Sequence, residues 1–279
     1  MRRFLAVISV FSMLMACVPA VADAAPQATE WVRHDHSELR MVRGIMRGDG
    51  AIELGIHIKL SPGWKTYWRV PGDSGLPPQF DWNQSTNVGD LEVLWPTPVR
   101  FRDEFGDNIG YKKEVLFPLV VTPRDGSKPL TVKVNINYAV CSEVCIPVQA
   151  DLSLDIPMQS VLPRHAGDIA RFMRLVPQPP EKVSGLKVAN VSVDDSAQPR
   201  HLVVDVICED PARPMDVFVE GSQSLFFGVP VEVAGAAAGQ KRFRIPVDNV
   251  GEEAAPEVGD LRIVVVDGDK RLAQSWRVQ

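Results

Sequence analysis

The chain has 279 residues, four cysteines and a formal net charge of −5 at pH 7. A mildly acidic chain without a tract of lysine and arginine gives no indication of nucleic-acid binding. The sequence has no phosphate-binding loop, no Gly-x-Ser-x-Gly turn and no Cys-x-x-Cys pair opening a helix. Nucleotide-dependent, serine-hydrolase and thioredoxin-type mechanisms are therefore not indicated, and no cofactor is expected.

Residues 1–24 have the pattern of a secretory signal peptide. Two arginines precede an apolar run over residues 4–15, and small residues follow it up to Ala24. A lipoprotein site at Cys17 and a twin-arginine signal are alternative interpretations of this segment. No later run is long and apolar enough to cross a bilayer. We therefore predict export to an oxidising compartment, with no membrane span after the signal is cleaved.

The first elements after residue 31 are typical of strands. Apolar residues occupy every second position of residues 52–60, which is the pattern of a half-buried strand. A Ser-Pro-Gly turn at residues 61–63 then leads into an aromatic-rich strand that contains Tyr67 and Trp68. These two side chains are expected either in a sandwich core or at a site that the strand borders.

Residues 71–100 are predicted to be long connections with short strands, because they are rich in proline, glycine, aspartate and asparagine. They lead to the sequence Asp103-Glu104-Phe105-Gly106. On composition alone this is an ordinary acidic loop.

The one close cysteine pair, Cys141 and Cys145, lies between runs of alternating apolar and polar residues at 132–138 and 148–156. Both runs are typical of half-buried strands. A disulfide needs its Cα atoms within about 7 Å, whereas four residues of one extended strand span roughly 13 Å. The β-branched residues and the proline after the pair argue against a helix. We therefore predict a hairpin with its loop at residues 142–144 and the cysteines opposite each other.

Three interpretations of the pair are open on spacing alone. Closing so short a loop stabilises a fold by only about 2 kcal/mol, so the pair is a weak staple. A weak cross-link on an exposed turn is easier to explain as one that opens and closes by thiol–disulfide exchange. A structural bridge and a soft-metal site are the alternatives, since paired thiolates suit Cu(I). Elsewhere, His34 and His36 have chelating spacing, although solvated histidines explain them more simply.

Residues 102–106 and 138–147 carry a resemblance to a known family. They resemble the amino-terminal periplasmic domain of the thiol:disulfide interchange protein DsbD and the related suppressor-of-copper-sensitivity reductases, over residues 31–157. The resemblance implies an immunoglobulin-like sandwich in which Cys141 and Cys145 shuttle electrons. It also implies a periplasmic location.

The resemblance assigns further roles around the cysteines. Phe105 would be a cap over the pair, with Asp103 and Glu104 as its acidic neighbours, and Tyr67 or Trp68 would form the floor beneath it. A phenyl ring over a dithiol excludes oxidants, and nearby carboxylates raise the pKa of a thiol and slow indiscriminate attack.

The partners implied by the resemblance are a membrane-embedded electron donor and periplasmic thiol–disulfide proteins. Cys145 would form the bond to a partner and Cys141 would resolve it. The membrane conductor and thioredoxin-like domain of DsbD-like proteins are expected on separate proteins here. The alternative function is a non-catalytic exported binding or copper-tolerance protein, whose cysteines are structural or bind Cu(I).

The remaining chain is predicted to form a helix, a linker and a second domain. Helical spacing of apolar residues predicts a helix over residues 163–175, and a proline-rich linker at 177–180 ends it. Six strand-like runs follow, the last two joined by a hairpin at residues 267–270. Cys208 ends one of these runs and is expected to be a buried free thiol, with a reactive or intermolecular role as the alternative.

The predicted fold is thus all-β, with two immunoglobulin-like β-sandwich domains joined by a short helix and a proline-rich linker. The predicted domains are residues 25–160 for the DsbD-like redox domain and 183–279 for the second sandwich. Residues 161–182 form the helix and linker between them.

Overall fold

The computed structural model describes residues 26–104, 106–158, 162–196, 199–250 and 258–278. The predicted signal peptide at residues 1–24 lies outside this range, and so does Phe105. Within it, strands dominate and pair antiparallel, and they form four sheets. The all-β class predicted from the sequence is confirmed.

The first two sheets share one hydrophobic core. The first consists of β1 (Val32–His34), β2 (Ser37–Met46), β3 (Ile52–Leu60), β9 (Glu114–Pro123) and β6 (Val88–Val93), in that spatial order. The second consists of β11 (Cys145–Ile156), β10 (Leu130–Cys141), β4 (Lys65–Gly72), β8 (Gly106–Lys112) and β7 (Val99–Asp103), and β5 (Gln79–Asp81) also pairs with β10. This pair of sheets is the predicted first sandwich.

One helix, α1 (Ala166–Met173), covers the outer face of the first sheet. Its buried residues Ile169 and Phe172 join the core of the first two sheets. This explains the sequence of β9, in which three consecutive residues, Val115 to Phe117, are fully buried. A strand covered on both faces loses the alternation of a half-buried one. The helix is a little shorter than the predicted residues 163–175.

The second half of the chain contributes the other two sheets, around a second core. The third sheet consists of β12 (Lys187–Asp194), β13 (His201–Ile207), β17 (Gln240–Asn249) and β15 (Leu225–Phe227), with β16 (Val231–Val233) paired to β17. The fourth consists of β14 (Met215–Glu220), β18 (Gly259–Asp267) and β19 (Lys270–Val278). The six predicted strands are all present. The hairpin predicted at residues 267–270 is the β18–β19 turn, where Gly268 has a φ of 58°.

The two halves are in direct contact. Phe218 of β14 packs edge-on against Trp68 of β4, with ring centroids 5.7 Å apart, and belongs to the core of the first two sheets. Beside it, the Arg69 guanidinium donates hydrogen bonds of 2.5 and 2.7 Å to the Glu220 carboxylate. The predicted linker also docks, since Gln178 exchanges backbone hydrogen bonds with β19. The second half therefore packs on the first.

Candidate functional site

The two cysteines close a hairpin between β10 and β11. Residues 130 to 141 pair in unbroken register with residues 145 to 156, and the last pair is Cys141 opposite Cys145. The Ser142 amide donates to the Val144 carbonyl across the loop, at 3.0 Å. The Cα atoms of the cysteines lie 4.2 Å apart and the sulfurs are bonded as a disulfide. This is the hairpin that the cysteine spacing predicted.

The two sulfurs have different access to solvent. Cys141 is fully buried, whereas Cys145 is exposed. The reason is position in the sheet: β10 has neighbours on both sides and pairs Cys141 with Lys65 of β4, while β11 is the edge strand. An incoming thiolate therefore has access to Cys145 and not to Cys141.

A small apolar cluster lies under the disulfide on the outer face of the second sheet, separate from the main core. It consists of Tyr67, Phe101, Ala139 and Cys141. The Tyr67 hydroxyl is 3.6 Å from the Cys145 sulfur. Burial, and to a smaller extent the Asp103 carboxylate, raises the pKa of Tyr67. The phenol therefore keeps its proton at neutral pH and can donate a hydrogen bond to sulfur.

Asp103 ends β7 at the rim of this cluster and is held from two sides. The buried Lys65 ammonium donates to Oδ2 of Asp103, and the fully buried Asn108 amide donates to Oδ1, at 3.2 Å. Lys65 also lies 5.3 Å from the centroid of the Phe101 ring. This carboxylate is thus neutralised by a buried cation beside the cysteines.

The connection at residues 71–76 holds the first residues of β8, which follows β7 along the chain. Asp73 accepts a hydrogen bond from the Asp107 amide at 2.7 Å, and the Ser74 hydroxyl donates to Asn108 at 3.2 Å. Gly75 lies against the Tyr67 ring, where a Cβ atom would come within 2.3 Å of a ring carbon. Only a residue without a side chain allows this approach.

Comparison with known proteins gives the family of this site. A family model described as the amino-terminal domain of the thiol:disulfide interchange protein DsbD matches residues 45–157, which include the cysteine hairpin, Tyr67 and Asp103. This segment belongs to the DsbD amino-terminal domain family. The chain therefore contains a DsbD-like domain over these residues. A model described as a domain of unknown function matches residues 175–279.

A solved structure extends the likeness of the DsbD-like chain beyond this domain. The N-terminal periplasmic domain of ScsB from Proteus mirabilis matches with a TM-score of 0.72 and 24% identity, over 90% of this chain and 98% of that one. At this identity the match shows a shared fold, which includes both halves. A search of curated proteins found no match.

The DsbD-like domain separates the two residues predicted as the site floor. Tyr67 lies beside the disulfide, but Trp68 points to the opposite face of β4, where it is buried in the main core against Phe218. Neighbouring residues of a strand face opposite sides of the sheet, so both could not line one site. Of the two alternatives, Tyr67 is therefore the residue that borders the disulfide, and its role as the site floor stays a prediction.

The predicted cap of the DsbD-like domain is described only in part. Asp103 lies at the cluster, Glu104 is exposed, and Phe105 lies outside the described residues. A role for these three residues as a cap stays a prediction. Sequence reasoning missed Lys65, Asn108 and the 71–76 connection. Of these only the connection carried a signal, in the closely spaced glycines of its Pro-Gly-Asp-Ser-Gly sequence.

Other chemistry is sparse in the described part of the chain. No group of three or more His, Cys, Asp and Glu side chains there is arranged to hold a metal ion. His36 stacks on the Trp64 indole, with centroids 3.7 Å apart. Cys208 is a buried free thiol, as predicted, and burial raises its pKa. None of the described helices has the length and hydropathy to cross a membrane.

Proposed function

We propose that this chain is a periplasmic thiol–disulfide interchange protein that relays reducing equivalents between a membrane-embedded reductase and exported client proteins through Cys141 and Cys145. The observation that carries the proposal is the asymmetric disulfide. An exposed residue, Cys145, is bonded to a fully buried one, Cys141, at the end of the β10–β11 hairpin. Such a pair offers one sulfur to the attacking thiolate of a partner, and the buried sulfur can then resolve the mixed disulfide.

The protein is reduced in two exchange steps. A thiolate of the electron donor attacks the Cys145 sulfur, a mixed disulfide forms, and Cys141 leaves as a thiolate that takes up a proton. The donor's second thiolate then attacks its own sulfur in the mixed disulfide, and Cys145 leaves as a thiolate. The donor becomes a disulfide, and this chain gains two electrons, with one proton on Cys141 and a second when the Cys145 thiolate is protonated.

The client is reduced by the reverse sequence. The Cys145 thiolate attacks the client's disulfide and releases one client sulfur as a thiol. The Cys141 thiolate then attacks the Cys145 sulfur, re-forms the intramolecular disulfide and releases the second client thiol. In both directions the Tyr67 hydroxyl, 3.6 Å from the Cys145 sulfur, is placed to donate a hydrogen bond to that thiolate.

The proposed periplasmic location rests on two further observations. The residue pattern of 1–24 is that of a secretory signal, which leads to an oxidising compartment. The DsbD-like domain and the fold shared with a periplasmic domain of ScsB support the periplasm as that compartment. We assign no metal or organic cofactor to the relay, because thiol–disulfide exchange moves electrons through sulfur alone.

Equilibration with glutathione tests the proposal. Purified protein is incubated in buffers of increasing ratio of reduced to oxidised glutathione, quenched with acid, and its free thiols are alkylated and counted by mass spectrometry. We expect Cys141 and Cys145 to pass from disulfide to dithiol at a moderate potential, while the protein stays folded. A pair that stays oxidised at every ratio identifies a structural bridge and contradicts the relay.

A further inference from the structure

A row of four side chains crosses the second sheet at the disulfide. The strand registers place Cys145 opposite Cys141, Cys141 opposite Lys65, and Lys65 opposite Lys112. Residues directly opposite in antiparallel strands point to the same face, with Cβ atoms about 5 Å apart. Lys65 is therefore the immediate neighbour of the buried cysteine, on the side away from Cys145.

Lys65 is an unusual residue for this position. Its side chain is only 8% exposed, whereas lysines are almost never buried without a partner. It bonds to Asp103, and its ammonium lies beside the Phe101 ring. Lys112, the other lysine of the row, is exposed to solvent. The sheet thus holds one desolvated cation next to the disulfide.

The steps of the relay place a negative charge on the sulfur of Cys141, next to Lys65. Each time a partner attacks Cys145, the fully buried Cys141 leaves as a thiolate, and it acts as a thiolate again when it resolves the client complex. An anion without solvent is costly unless a cation or hydrogen-bond donor stabilises it. Lys65 can supply this, because its flexible four-carbon stem starts from the position opposite Cys141.

Asp103 can release the ammonium without becoming unpaired. Its Oδ1 keeps the hydrogen bond from Asn108, and Asn108 is itself held by Ser74. The carboxylate therefore competes with the sulfur for one cation. In the oxidised protein the sulfur is neutral, so the ammonium stays on Asp103.

We propose that Lys65 is a positioning residue of the relay, which holds Asp103 while the disulfide is closed and turns its charge to the Cys141 thiolate whenever that thiolate forms. This inference rests on the proposed function. It assigns opposite effects to the two members of the ion pair: Lys65 promotes the steps in which Cys141 is a thiolate, and Asp103 restrains them.

The test isolates the resolving step. Reduced full-length protein is mixed with excess oxidised glutathione, and acid-quenched samples are followed by mass spectrometry. Attack by Cys145 gives a glutathione adduct, and attack by Cys141 on that adduct releases glutathione and closes the disulfide. The rate of the second phase is measured from about pH 6 to about pH 9, a range that brackets the ordinary pKa of a cysteine thiol. This rate reports the attack by Cys141.

Four variants are compared with the wild-type chain. We expect K65M to slow the second phase about tenfold at neutral pH and to move its pH profile upward, since a charge within a few ångströms favours a thiolate by about one pK unit or more. D103N should accelerate the second phase, because the ammonium is no longer held. K65R keeps the charge and should retain most of the rate. K112M should stay within about twofold of wild type, since an exposed charge is screened.

The outcomes separate this inference from the proposed function. If the wild-type pair does not react with oxidised glutathione, the relay and the role of Lys65 both fail. If the wild type reacts but K65M and D103N change the second phase in the same direction, the pair is only a structural link and the inference is wrong. Should K65M fail to fold, K65Q takes its place: a slower second phase with its pH profile moved upward supports the inference, and an unchanged or faster one overturns it.

Discussion

At the scale of single residues, the site depends on a difference between two chemically identical side chains. Cys141 and Cys145 are four positions apart, yet one is fully buried and the other exposed. Thiol–disulfide exchange depends on which sulfur a thiolate can reach. The position of the two strands in the sheet, central against edge, therefore assigns the roles.

The first prediction concerns these roles. Cys141→Ser should accumulate a stable mixed disulfide through Cys145, because the attacking thiol is accessible and the resolving thiol is gone. Cys145→Ser should not, since Cys141 is covered. Complexes are trapped with each variant and resolved on non-reducing gels, with Cys208→Ser as a control that should trap nothing. Trapping by Cys145→Ser in place of Cys141→Ser would reverse the assignment.

The second prediction concerns Tyr67. Removing its hydroxyl in Tyr67→Phe takes a hydrogen-bond donor from the Cys145 thiolate, so we expect Cys145 to react with oxidised glutathione about three- to tenfold more slowly at neutral pH, with the fold unchanged. Tyr138→Phe is the matched control: its hydroxyl bonds Ser37 at 2.8 Å on the core side of β10. Equal rates in both variants would exclude a role for the Tyr67 hydroxyl.

At the scale of elements, the hairpin supports the cysteines more than they support the hairpin. Twelve residues of β10 pair with twelve of β11, and apolar side chains alternate into the core along both strands. Register is strongly specified where one face of a strand is buried. The disulfide only adds a cross-link at the end of an already paired ladder.

The third prediction follows from this. Replacing both cysteines by serine, Cys141→Ser with Cys145→Ser, should lower the free energy of unfolding by no more than about 2 kcal/mol, because a short loop has little unfolded freedom to lose. The same variant should abolish electron transfer. Urea unfolding measures the change in the free energy of unfolding, and exchange with glutathione measures the loss of electron transfer. Unfolding of the wild-type protein on reduction, or full activity of the double variant, would contradict the prediction.

The fourth prediction concerns the turn between β7 and β8. Asp103, at the end of β7, is held by Lys65, and Asp107, near the start of β8, is held by Asp73. If Phe105 is the cap, Phe105→Ala should leave the fold intact and make the reduced pair react faster with peroxide and with alkylating agents. Val144→Ala, which truncates a 58% exposed side chain in the hairpin loop, should not change the rate. Equal rates for wild type and Phe105→Ala would argue against the cap.

At the scale of the whole molecule, the second half of the chain is joined to the DsbD-like domain by a shared core. Phe218 is 1% exposed and contacts Trp68, and Val264 and Ala273 of the fourth sheet also belong to the core of the first two sheets. Next to them, Arg69 and Glu220 form a bidentate ion pair. The strand that carries Tyr67 on one face therefore carries the contact between the halves on the other.

The fifth prediction tests this coupling. Phe218→Ala should destabilise the protein by roughly 3–5 kcal/mol and split a single unfolding transition into two, because a fully buried ring is lost from the contact between the halves. Phe243→Ala removes a ring that is buried within the second core alone, and it should destabilise that half without separating the transitions in the same way. Calorimetry distinguishes the two variants by the number and the temperatures of their unfolding transitions. A single unshifted transition in Phe218→Ala would show that the halves are not coupled there.

Much of this architecture could be predicted from the sequence, because it depends on local periodicity. Alternation over residues 52–60 and around the cysteines predicted strands that the structure contains. The four-residue spacing excluded one extended strand between Cys141 and Cys145, and the β-branched residues and proline there argued against a helix, which left a hairpin. The strands of the second half and the short helix followed from the same patterns. These features are set by neighbours a few positions apart, which a linear sequence displays directly.

Only the tertiary structure decided what surrounds the disulfide. Lys65 and Asp103 are 38 positions apart and meet because β4 and β7 belong to one sheet. Adjacent residues of a strand face opposite sides, so Tyr67 and Trp68 cannot both border the disulfide, but which of the two sides holds the cysteines depends on how the sheets pack. The exposure of Cys145 likewise depends on β11 being an edge strand. Spatial order and packing arise from contacts between distant segments, and no local pattern encodes them.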